Sequence, residues 1–168
     1  IGQKKGEFKR TANRHDLALK PFGKTVLDSL KENHLDVIGI GKIPDIFVDQ
    51  GITRKVKTES NFDGMIKTIE IAKENFTGLA FLNLVDFDAV FGHRRDPRGY
   101  GNAIIEFDNQ LTDLLRELKE DDLLMITADH GNDPTYKGTD HTRESVPLLG
   151  YSKCWKQGVN IGTRDTYA

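Results

Sequence analysis

Two periodicities run through the chain. Val26, Leu27 and Leu30 recur at helical spacing after Pro21, and the pattern fades at Asn33-His34, which predicts a first helix. Val37-Ile38-Gly39-Ile40 then reads as a short buried strand ending at Gly41-Lys42. Residues 44–54 carry no clear period and read as irregular, with Gly51 in a turn. Ser60 is placed to cap a helix that carries Met65, Ile69 and Ala72 on one face, closed by Asn75 and Gly78. An apolar run from Leu79 to Val85 follows and stops on Asp86-Phe87-Asp88, as a buried strand would. Asp96-Pro97 opens the longest helix, striped by Ile104, Phe107, Leu111, Leu114, Leu115 and Leu118. Glu120-Asp121-Asp122 turns the chain into a second apolar run, Leu123 to Ala128, ending on Asp129-His130. Val146-Pro147 leads into a further strand of edge character through Tyr151. Helix and strand alternate, so the expected class is α/β with a mostly parallel sheet.

Residues 1–19 break this rhythm. They are polar and rich in Lys, Arg and Gly, with a turn over residues 2–6 and a short exposed strand over residues 7–12. His15 in this stretch reads as a surface or capping residue. The chain begins at Ile1 without an initiator methionine and ends in Thr166-Tyr167-Ala168 without a helix stop, so it reads as a piece of a longer protein.

Composition narrows the class. Hydrophobic residues make up 37% of 168 and charged residues 30%, as in soluble globular domains. A net charge of -2 without a basic block argues against nucleic acid, and no apolar run reaches the roughly 18 residues of a membrane span. The single Cys154 excludes an internal disulfide and fits a reducing compartment, so the expected location is cytoplasmic.

The chemistry lies at the two apolar runs that stop on carboxylates. Asp88 is followed by His93, Asp129 by His130, and His141 comes after the Gly138 loop; these are three of the chain's five histidines. In open α/β sheets ligands gather beyond the carboxyl ends of strands. A lone Asp-His pair is an ordinary turn, but two such clusters plus a third histidine beside a glycine loop are a less accidental set. Carboxylates and imidazoles brought together there repel or compete unless a cation lies among them. A set of oxygens and imidazole nitrogens without cysteine suits Mn, Zn or Fe. Five donors exceed what one open catalytic metal takes from protein, which points to two metals and phosphate or sulfate chemistry.

The stretches Val85-Asp86-Phe87-Asp88-Ala89-Val90-Phe91-Gly92-His93-Arg94-Arg95-Asp96-Pro97, Ile126-Thr127-Ala128-Asp129-His130-Gly131-Asn132-Asp133-Pro134 and Gly138-Thr139-Asp140-His141-Thr142-Arg143-Glu144 resemble the phosphopentomutase family of the alkaline phosphatase superfamily. The Ala-Asp-His-Gly-Asn core is shared with cofactor-independent phosphoglycerate mutases, whereas the stretch from Asp86 to Pro97 is more specific. The resemblance implies a three-layer core of alkaline phosphatase type, incomplete in this chain. It further implies a dimanganese phosphomutase, an isomerase acting on ribose or deoxyribose 1- and 5-phosphates through a phosphothreonine. Asp88, His93 and His141 would then hold one metal, and Asp129 and His130 the other. Residues 1–19 resemble the tail of an inserted cap domain and hinge, and residues 20–168 the carboxyl-side part of the core. One further aspartate ligand and the nucleophilic threonine lie upstream in the family, so none of Thr127, Thr139 or Thr142 takes the nucleophile's place. Lys42, just past a strand end, and Arg10 are the candidate substrate-phosphate contacts, with a solvated surface lysine an equal reading of Lys42. Arg94 and Arg95 offer planar forks for a phosphate or carboxylate, or for charge pairs on the following helix. The expected partners are a small sugar phosphate and the missing amino-terminal part of the same enzyme. The alternatives are a phosphoglycerate mutase or phosphatase relative, and a non-catalytic metal-binding fragment.

Overall fold

A computed structural model describes Lys4 and residues 18–156 and 158–166. The expected turn over residues 2–6, the strand over residues 7–12, His15, Arg10 and most of the proposed cap tail lie outside the described residues.

Helix α1 (Val26–Glu32) starts on a capping box, in which Thr25 accepts from the Asp28 amide while the Asp28 carboxylate accepts from the Thr25 amide. Its buried Leu27 meets Val37 of strand β1 (Asp36–Ile40), together with Ile43 and Ile52. Val37, Ile38 and Ile40 are at most 2% exposed, so β1 is the central strand. Burying each contributes about 1.5–3 kcal/mol.

The segment expected to be irregular is more ordered than its sequence implies. It holds a helical turn, α2 (Ile43–Ile46), and a short strand, β2 (Arg54–Val56), which pairs parallel with β1 in the register Ile40 to Val56. β2 is polar and three residues long, so no hydrophobic period announces it; pairing with β1 creates it.

Helix α3 (Asn61–Lys73) is capped by Ser60, which accepts from the Asp63 amide, as its sequence predicts. Met65 and Ile69 are buried against Leu114 of α4 (Pro97–Glu117), with Ala72 packed alongside. Asp96 caps α4 through the Gly99 amide. Strand β3 (Gly78–Leu82) lies parallel to β1, giving the sheet order β2-β1-β3.

The apolar run from Leu79 does not stay extended to Asp88. β3 stops at Leu82, and Phe87–Gly92 winds as a π-helical turn. Asp88 therefore sits beyond the strand end, as expected, but in a π-helical turn, and the strand itself is shorter than the apolar run implied. The second key strand, β4 (Leu124–Thr127), pairs antiparallel with β5 (Leu148–Tyr151) in a separate two-stranded sheet. β4 is also not buried on both faces: Met125 is 63% exposed, while Leu124 packs on the α3–α4 cluster. Among the described residues β3 pairs only with β1, and β4 only with β5. The architecture is α/β with a parallel three-stranded sheet. No helix among the described residues is long and apolar enough to cross a membrane.

Candidate metal centre

The π-helical turn builds the first half of the site. The His93 amide donates to the Asp88 carbonyl at 2.9 Å, closing one wide turn on these two residues. In an α-helix, residues five apart point about 140° away from each other. The wider winding brings them to one side, where Asp88 Oδ2 lies 3.2 Å from His93 Nε2. Single π turns recur at functional sites for this reason. A reciprocal pair holds the turn's start: the Asn61 amide donates to Asp86 Oδ2 at 2.7 Å, and the Asp86 amide to Asn61 Oδ1 at 2.9 Å.

The second half comes from the loop after β4. Its base is closed by Gly131 and Thr142, whose amide donates to the Gly131 carbonyl. The loop carries His141 back over the π turn, where its Nε2 lies 3.3 Å from Asp88 Oδ1 and 3.2 Å from His93 Nε2. The His130 ring stacks on that of His141 with centroids 3.7 Å apart. Asp88, His130 and His141 each offer a ligand atom within 4.8 Å of the others. Four of the sequence-predicted residues thus meet: Asp88, His93, His130 and His141. Asp129 stands at the rim, its side chain 81% exposed and Oδ2 3.7 Å from His130 Nε2.

The donor atoms fit a cation. Tetrahedral bonds of about 2.0–2.1 Å put neighbouring ligand atoms about 3.3 Å apart; His93 and His141 Nε2 are 3.2 Å apart, and each lies 3.2–3.3 Å from a different oxygen of Asp88. The tautomers fit as well. His93 Nδ1 faces the Thr139 carbonyl and His130 Nδ1 the Gly131 carbonyl. A carbonyl only accepts, so both Nδ1 atoms carry a proton, which in the neutral ring leaves the lone pair on Nε2. Imidazole fixed by a backbone carbonyl and a carboxylate fixed by an amide are usual around ligated metals. Asp88 has its amide: Asn132 Nδ2 donates to Oδ1 at 2.6 Å. Lone pairs and carboxylate oxygens converging at these distances need a shared proton or a metal ion between them.

Two supporting residues carry roles that sequence alone did not assign. Asn132 rests on Gly92, where a Cβ would come within 2.5 Å of Nδ2, so only glycine leaves room for the amide. Arg95 takes neither role considered for it; its guanidinium donates to protein carbonyls throughout the loop. Arg94 is exposed. Lys42, at the carboxyl end of β1, lies 3.4 Å from Asp45 in a partly buried ion pair. Thr142 Oγ1 accepts from the Asp133 amide at 2.6 Å and donates to Glu144, a brace within the loop. Nearby, burial and the Asp88 charge both push the Tyr100 hydroxyl pKa up.

An α/β fold that gathers one carboxylate and three imidazoles beside its strand ends defines a metal-dependent enzyme class. A family model described as the metalloenzyme superfamily matches residues 4–168, and the chain belongs to that superfamily.

Proposed function

We propose that the chain is the carboxyl-side part of a phosphopentomutase, residues 20–168 in the core domain and residues 1–19 in the tail of a cap. The observation carrying this reading is the meeting of Asp88 and His93 with His130 and His141 from a segment far along the chain. On this reading Asp88, His93 and His141 hold one divalent ion, while Asp129 and His130 hold a second. Manganese is the proposed ion, in keeping with donors that are only oxygen and imidazole nitrogen. Bound there, such ions favour deprotonation of an attacking hydroxyl and stabilise charge on a transferring phosphoryl group.

The chain's own residues then orient and neutralise. Asn132 and the Thr139 and Gly131 carbonyls hold Asp88, His93 and His130 in their ligating forms. Lys42, and Arg10 from outside the described residues, are proposed to meet the substrate phosphate. Thr142 is engaged as a loop brace, in line with a nucleophilic threonine supplied by a segment outside this chain. One further aspartate would come with it. The single partner strand on each of β3 and β4 supports this, because Leu82 and Leu124 pack on one cluster of α3 and α4 side chains with strand edges to spare. The exposed thiol of Cys154 fits a cytoplasmic location.

The test is substrate competition on the full-length protein with Mn2+. Conversion of ribose 1-phosphate to ribose 5-phosphate without release of inorganic phosphate is expected. Isomerisation of 3-phosphoglycerate instead would make it a phosphoglycerate mutase, and net hydrolysis a phosphatase. Metal binding without turnover of any of these would leave a non-catalytic metal domain.

A further inference from the structure

Arg95 holds a backbone conformation that side chains rarely take, with φ at +55°. Such strain costs on the order of 1–3 kcal/mol and persists where surrounding contacts over-determine it. The contacts here are five acceptors on all three guanidinium nitrogens. Nε donates to the Gly138 carbonyl. Nη1 donates to the carbonyls of Gly92 and Asp133 and to Asn132 Oδ1 at 3.3, 2.8 and 2.7 Å. Nη2 donates to the Asp140 carbonyl at 2.6 Å. Nε, both hydrogens of Nη1 (shared among three acceptors) and one hydrogen of Nη2 are thus spent on the protein itself, so most of the five-donor fork is turned inward to the loop.

The acceptors have a common feature. Gly138 and Asp140 flank Thr139, whose carbonyl fixes the tautomer of His93. Asp140 also precedes His141, and Asn132 is the residue that donates to Asp88. The loop between Gly131 and Thr142 contains no helix or strand, so its closure costs chain entropy that must be offset by tertiary bonds. One side chain, two residues after His93, therefore fastens the backbone that carries His141, the carbonyl that orients His93 and the amide that orients Asp88.

We infer that Arg95 is a positioning residue for the metal centre: its guanidinium pre-assembles the Asp88, His93 and His141 donors by locking residues 132–140 over the π turn. The inference rests on the metal-site reading above. Lysine, with a single point charge, cannot reach acceptors spread over Gly92, Asp133, Gly138 and Asp140 together.

The test titrates Co2+ into wild-type protein and the variants Arg95→Ala and Arg95→Lys, following the visible absorption of the bound ion. Wild type is expected to bind. Both variants should bind about 10–100-fold more weakly, the usual cost of losing an outer partner, with a changed absorption spectrum reporting a lost or displaced donor. If wild type takes up no Co2+, the metal-site reading itself fails. If wild type binds and folded Arg95→Ala gives the same affinity and spectrum, the positioning role is overturned. Should Arg95→Ala not fold, Arg95→Lys decides: wild-type affinity and spectrum in that variant overturn the inference equally.

Discussion

Asp88 and His93 are five residues apart and face each other across 3.2 Å because a π-helical turn, closed by the His93 amide on the Asp88 carbonyl, stacks them on one side. The same carboxylate meets His141 with its other oxygen at 3.3 Å, so Asp88 is the hinge between the two halves of the site. Asp88→Asn keeps the size and removes the charge. It should weaken divalent-ion affinity by more than the roughly 10–100-fold that losing an outer partner costs. Calorimetric titration with Mn2+ checks this, and an unchanged affinity would remove Asp88 from the donor set.

Gly92 lies under Asn132, and a Cβ there would stand 2.5 Å from the amide nitrogen that holds Asp88. Gly92→Ala should therefore lower metal affinity about 10–100-fold while helical content by circular dichroism stays the same. Gly101, inside α4, has nothing within 4 Å of a built Cβ. Gly101→Ala should raise stability by about 0.5–1 kcal/mol in urea unfolding and leave metal binding alone. Equal effects of the two changes on metal binding would refute the Gly92 argument.

Met65 is 1% exposed and joins α3 to Leu114 of α4, the helix pair on which the ends of β3 and β4 rest. Met65→Ala should cost about 2–5 kcal/mol, read from the urea midpoint. A loss below 1 kcal/mol would mean that α3 and α4 do not form a close-packed layer in solution.

Among the described residues, four carboxylates are held below their ordinary pKa. Asp28 is lowered chiefly by Gln50, Asp63 by Lys67, Glu74 by Arg54 and Asp133 by the Thr135 hydroxyl. A lowered folded-state pKa gives stability that is complete above the unfolded value, here 3.8 for Asp and 4.5 for Glu, and fades as pH falls toward the folded value. The melting temperature, measured without metal, should hold from pH 7 to about 5 and drop below about 4.5. A melting temperature that rises on acidification through this window would reverse the sign.

Much of this fold is written in short-range pattern. α3 and α4 have stripes of period 3.6 and side-chain caps at Ser60 and Asp96, and β1 has a branched apolar run. β2 and α2 lack such marks, since Arg54-Lys55-Val56 is a strand only through its pairing with β1. The π turn is hidden for another reason: Phe87, Val90 and Phe91 continue an apolar run that reads as strand, and nothing local distinguishes five-residue from four-residue winding. At the site, Asp88, His93, His130 and His141 are legible because Asp and His beside strand ends are chemically conspicuous. The parts of Asn132 and Arg95 are not, because donation to carbonyls depends on where a loop without regular structure folds back. Lys42 pairs with Asp45, three residues on in the short helix α2, a pairing that spacing alone does not distinguish from a solvated lysine.

The most direct measurement is a crystal structure of the protein soaked in Mn2+, with the ion located by its anomalous scattering. A peak bonded to Asp88, His93 and His141 at about 2.0–2.3 Å is expected, with His130 and Asp129 around a second peak. Anomalous density elsewhere on the molecule, or none near Asp88 at saturating Mn2+, would contradict this assignment.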